Sequence, residues 1–185
     1  RRALRGEFVF PQHNHADQTY CVGNSLGLQP RGARAAVQEV MDKWGALAVE
    51  GHFTGETQWL RYHRLVNAQL AQVVGAQPSE VVAMNTLSVN LHLMMVSFYR
   101  PNQARPVMLM EAGAVPTDRH AVEAQIRFHG FDPADCLVEV QPDEANGTIP
   151  MAAIEKAIAQ HGLPLAMVMV TGGQYRSGTA VALAT

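Results

Sequence analysis

Hydrophobic residues are spaced irregularly over the first thirty positions and regularly afterwards. Short extended pieces are predicted at residues 7–10 and 19–22. Gly23, Gly27 and Pro30 mark residues 23–30 as a loop. From there Ala33, Ala36, Val37, Val40, Met41, Trp44 and Leu47 recur at steps of three and four, which predicts a helix over residues 30–49. The run Glu50-Gly51-His52-Phe53-Thr54-Gly55 breaks it. A second helix is predicted over residues 57–74, ended by Gly75.

Strand-sized and helix-sized patterns then alternate. Strands are predicted at residues 80–84, 106–110, 137–140 and 165–170, and helices at 88–99, 117–129 and 150–160. Pro101, Gly130 and Gly162 stand just beyond the helix ends. The last strand is apolar throughout, as expected when both faces of a sheet are covered. Alternation at the spacing of βαβ units predicts an α/β layer with a largely parallel sheet. Strand order is not legible in such a pattern.

Composition narrows the classes. Of 185 residues, 48% are hydrophobic and 16% charged, enough apolar material for a core and too much for a disordered tail. With 14 Lys+Arg against 16 Asp+Glu the net charge is -2, so no broad basic face is expected for nucleic acid or anionic lipid. No stretch approaches the roughly 20 apolar residues of a membrane span. Cys21 and Cys136 follow no secretory h-region, so a reducing cytoplasm is expected and a disulfide framework is not. CxxC, HExxH and Cys/His clusters are missing, and no metal site is expected. His13 and His15, flanking Asn14 in a polar loop, are the only candidate ligands. The nine methionines are spread over helices and strands, which fits core filling. The chain opens on Arg1 within a basic run and stops at Thr185 soon after a glycine-rich turn, so a fragment of a longer protein is expected.

Ligands of open α/β sheets sit beyond the carboxyl ends of the strands. Three segments qualify. Asn85-Thr86-Leu87-Ser88 lies between strand and helix, where the first amides of the helix lack intrahelical partners and can hold a phosphate. On spacing alone a helix N-cap at Thr86 or Ser88 is the leading reading, and the two roles are compatible. Ala114-Val115-Pro116-Thr117-Asp118 is the second; Asp118 falls in the first helical turn, where a carboxylate is favourable with or without a ligand. The third is Thr171-Gly172-Gly173-Gln174-Tyr175-Arg176-Ser177-Gly178, whose glycines allow close backbone approach. It lacks the Gly-Lys-Ser/Thr ending of a P-loop, and no Gly-x-Gly-x-x-Gly occurs. His52 sits at a helix break, where a lone histidine is commonly structural. Trp59 and Tyr62 read as packing residues.

The segments 23–30 (Gly-Asn-Ser-Leu-Gly-Leu-Gln-Pro), 49–53 (Val-Glu-Gly-His-Phe), 82–94 (Val-Ala-Met-Asn-Thr-Leu-Ser-Val-Asn-Leu-His-Leu-Met), 97–101 and 118–123 closely resemble the kynureninase family, in order and in spacing. The resemblance covers essentially the whole chain and corresponds to a little under the amino-terminal half of such an enzyme. It implies the three-layer, mostly parallel sheet of the fold-type-I pyridoxal-phosphate enzymes (the aspartate aminotransferase-like large domain), incomplete here. Residues 1–49 would form an amino-terminal arm and first helix, and 50–185 the first part of the cofactor-binding large domain. The implied activity is hydrolysis of L-kynurenine or 3-hydroxykynurenine to anthranilate or 3-hydroxyanthranilate and L-alanine. That places it in tryptophan catabolism by the kynurenine pathway and so in NAD biosynthesis, carried out by a cytoplasmic homodimer. The cofactor implied is pyridoxal 5'-phosphate.

By motif position the resemblance assigns the cofactor phosphate to Leu87 and Ser88, and the cofactor ring to Val115, Pro116, Thr117 and Asp118, with Asp118 near the ring nitrogen. Thr171 would hydrogen-bond the cofactor, and Ser25 and His52 would approach the aromatic ring of the substrate. Three departures stand out. Val115 replaces the family's usual phenylalanine, Thr171 a common serine, and Thr179 a frequent glutamine; the match fades after Gly178. The family's Schiff-base lysine, second ring-nitrogen aspartate and substrate-carboxylate arginine fall past Thr185. Lys43 and Lys156 lie on predicted helices without the expected context, so these residues alone are expected to be inactive. The rivals are another fold-type-I enzyme, such as a cysteine desulfurase or aminotransferase, and a degenerate, non-catalytic dimerisation module.

Overall fold

The computed structural model describes residues 4–23 and 25–180. Arg1 to Ala3 of the basic opening run, Asn24 of the glycine loop and residues 181–185 lie outside the described residues. By its contacts the chain divides into two units, Arg1–Ala83 and Met84–Thr185. This division falls well after residue 49, where the sequence places the end of the arm and first helix.

The first unit is mostly helical. A two-residue hairpin, β1 (Gln12–His13) and β2 (Ala16–Asp17), stands where a loop is expected. Its turn residues Asn14 and His15 have φ of 49° and 62°, the doubly left-handed geometry of a tight hairpin. Residues 7–10 and 19–22 do not form strands; Phe8 only bridges Pro30. Helix α1 (Ala33–Leu47) matches the predicted period and runs on into a 3₁₀ turn, Ala48–His52. The predicted second helix is split. Its first part is 3₁₀ (Trp59–Val66), its second part α2 (Asn67–Val74), and Gly75 closes it with a left-handed φ of 72°.

The second unit carries the sheet. Helix α3 (Leu87–Phe98) leads to strand β3 (Val107–Glu111), followed by α4 (Pro116–Phe128), the single turn α5 (Pro133–Cys136), β4 (Leu137–Val140), α6 (Met151–His161) and β5 (Leu165–Met169). The three strands are parallel in the order β4-β3-β5, with Leu109 opposite both Val138 and Val168. The predicted strand at 80–84 does not form. Val82 and Met84 are exposed, and no strand pairs with them.

Every residue of β3 is buried, and its alternation divides the core. Met108 and Met110 pack with Met95, Tyr99, Ala121, Val122 and Ile126 under α3 and α4. Val107 and Leu109 pack with Val140, Ile154 and Leu165 on the side of α6. The unit is thus helix, sheet, helix. The Tyr99 hydroxyl donates to the Pro106 carbonyl at 2.6 Å, which ties the end of α3 to the entry of β3.

Candidate functional site

The parallel strands direct three connections to one end of the sheet. After Glu111 the chain turns through Ala112-Gly113-Ala114 into α4. Gly113 sits at φ 72°, which favours glycine. After β5 comes Thr171, and the loop beyond it docks back through Gln174, whose Nε2 donates to the Gly113 carbonyl at 3.1 Å. Ala112, Gly113, Gln141, Pro142, Gln174 and Arg176 line a cleft of about 460 Å³ there.

Helix α3 opens toward the same end. Its His92 Nδ1 lies 3.1 Å from Gln125 of α4, and its Tyr99 ring meets the His129 ring just after α4, with centroids 5.4 Å apart. Later residues of α3 meet later residues of α4, so the two helices run in the same direction. Their amino-termini, and with them the free amides and positive dipole ends, lie on the side where β3 ends. Thr86, the N-cap of α3, makes no side-chain capping bond, and neither does Val115 at α4.

Leu87 and Ser88 are therefore the first two residues of a helix whose opening amides are left free by side-chain caps. Val115 is the half-buried N-cap of α4, Pro116 and Thr117 occupy its first turn, and Asp118 is buried at 6% exposure. The Asp118 carboxylate is poorly supplied with donors. The Thr117 hydroxyl stands 3.5 Å away, at the limit of a hydrogen bond, and no cation pairs with it among the described residues. Such a carboxylate can take a proton donor from a ligand. Thr171 is held by Glu111: its hydroxyl donates to Oε1 at 2.6 Å and its backbone N–H to Oε2 at 3.3 Å.

Leu87, Ser88, Val115 to Asp118 and Thr171 thus share one end of the second unit. Ser25 and His52 lie in the first unit. Ser25 is exposed, its backbone N–H bonded to the Val22 carbonyl. His52 meets the Trp59 ring edge-on with centroids 5.4 Å apart. Of the two lysines, Lys43 donates to the Thr57 carbonyl at 2.7 Å and Lys156 is exposed on α6. Glu111 was missed from the sequence. It stands one position past the predicted strand, and its half-buried partner is 60 residues away.

Comparison with known proteins bears on what this end of the sheet serves. The chain is 78% identical over 179 residues to the kynureninase of Stenotrophomonas maltophilia, a match that takes in 97% of this chain. The chain is similar to kynureninases. Those of Xanthomonas axonopodis pv. citri and Xanthomonas oryzae pv. oryzae are 69% and 68% identical over 183 residues. The chain spans only about 42–43% of the length of these kynureninases. No family model matches it. No helix among the described residues is long and apolar enough to cross a membrane.

Proposed function

We propose that this chain supplies one wall of a pyridoxal 5'-phosphate site in a fold-type-I enzyme that hydrolyses L-kynurenine or 3-hydroxykynurenine. The products are anthranilate, or 3-hydroxyanthranilate, and L-alanine. The reading is supported by identity to kynureninases along nearly the whole chain. The observation that carries it is that two helix amino-termini and the donor-poor, buried Asp118 lie at one end of a parallel sheet.

The donor set fits the cofactor. Leu87 and Ser88 offer free amides to a dianionic phosphate without a cation. Asp118 offers a carboxylate that can hold the proton of the ring nitrogen, and Val115 gives apolar cover to the ring. When bound, pyridoxal phosphate supplies an electron sink for the carbanion formed at the substrate. Asp118 keeps that sink effective by stabilising the protonated ring. Ser25 and His52 recognise the substrate's aromatic ring. On this reading the attaching lysine lies past Thr185, and these 185 residues by themselves are not expected to turn over substrate. The enzyme is a cytoplasmic homodimer of tryptophan catabolism.

The complete protein, continued past Thr185, tests this. It is expected to be yellow with bound cofactor and to release fluorescent anthranilate from kynurenine. Asp118→Asn is expected to lose most of that activity. A colourless, inert complete protein sinks the proposal and favours a non-catalytic dimerisation module.

A further inference from the structure

Two carboxylates are buried in the second unit, and the proposed function employs only Asp118. Glu111, at 4% exposure, is the other. An ionised carboxylate is costly to bury unless donors satisfy it. No cation pairs with Glu111 among the described residues. Both of its hydrogen-bond donors belong to Thr171, one through the hydroxyl and one through the backbone N–H. Each carboxylate oxygen takes one donor, so the pair fixes both the backbone and the side chain at the end of β5. A hydroxyl has one proton and two lone pairs. With that proton committed to Glu111, Thr171 can offer a ligand only an acceptor.

We propose that Glu111 is a positioning residue for the cofactor site: it holds the Thr171 hydroxyl in one rotamer and presents its oxygen as an acceptor. The role rests on the pyridoxal-phosphate reading. It also accounts for a buried acid that neither the hydrophobic core nor an ion pair requires. Amide replacement reverses the arrangement. In Glu111→Gln the side-chain carbonyl can still accept from the Thr171 N–H, but the amide then donates to the hydroxyl oxygen and frees the hydroxyl proton.

The test is a set of cofactor titrations on the complete protein, freed of cofactor and followed by visible absorbance, with thermal melting of each cofactor-free form. Wild type is expected to bind pyridoxal phosphate, and Glu111→Gln to bind about tenfold more weakly with an unchanged melting temperature. Thr171→Val should weaken binding to a similar degree, and Thr171→Ser, which keeps the hydroxyl, should restore it. Glu111→Gln should add nothing in the Thr171→Val background, because the group it acts through is gone. Equal effects of Glu111→Gln in both backgrounds, or none in either, overturn the inference. If Glu111→Gln does not fold, the threonine pair decides: Thr171→Val binding as well as Thr171→Ser overturns it. A wild-type protein that binds no pyridoxal phosphate overturns the proposed function as well, and so marks a different failure.

Discussion

The Gly51 backbone lies directly against the Trp59 indole: a Cβ placed on Gly51 would stand 2.7 Å from two of the ring carbons. Gly51 precedes His52, which meets the same indole edge-on, so one tryptophan holds this bend from two sides. Gly51→Ala should force the rigid ring to turn and cost about 1–3 kcal/mol. Denaturant unfolding should show the loss. Tryptophan emission should shift to the red as Trp59 becomes wetter. Unchanged stability and emission would show that the bend has room to relax.

Tyr99 carries a pH signature. It is fully buried, and its hydroxyl is pushed up from 10.0 to about 12, first by burial and then by neighbouring Cys136. Below pH 10 both folded and unfolded chains keep this proton. Between pH 10 and 12 the unfolded chain gives it up first, so stability falls as pH rises. Tyr99→Phe should flatten that fall. At neutral pH it should cost about 1–3 kcal/mol, because the Pro106 carbonyl loses its donor. Unfolding measured at several alkaline pH values checks both parts.

The two thiols should differ in reactivity. Cys21 is exposed and Cys136 is buried. The Cys136 thiol is pushed up by burial, then by Asp135 and Asp132, which keeps it protonated and inert. A thiol reagent is expected to modify one cysteine quickly and the second only on unfolding. Mass spectrometry should place the fast label on Cys21.

Val115→Phe, in the complete protein, should tighten the proposed cofactor. An aromatic pair is worth about 0.5–1.5 kcal/mol beyond burial, which corresponds to a gain of several-fold to about tenfold. Equal dissociation constants for the two forms would show that the residue at the α4 N-cap does not cover the ring.

Local pattern encodes the part of the fold that was legible in the sequence. Helices α1, α3, α4 and α6 and strands β3, β4 and β5 stand within a few residues of their predicted ranges. For α3, α4, α6 and the strands the apolar spacing marks surfaces buried in the core, whereas α1 keeps its helical period with Val37, Met41 and Trp44 exposed. Residues 80–84 failed because a strand needs a neighbour. Val81 to Met84 have the composition of a strand, but pairing is not written in those residues. The β1–β2 turn was missed because Asn14-His15 lacks the glycine that marks such turns. The candidate site was half legible. Helix starts are local, so Leu87, Ser88 and Asp118 could be read from the chain, whereas the Glu111–Thr171 bond joins distant residues.

Because α3 and α4 run side by side in the same direction, the pull that the proposed site would exert on an anion at their amino-termini would come from peptide groups and not from ionisable side chains. Acid or base within the working range leaves it in place, and removing any one side chain subtracts little from it. If the proposed site holds, side chains around those amino-termini, Val115 among them, could change while that pull remained.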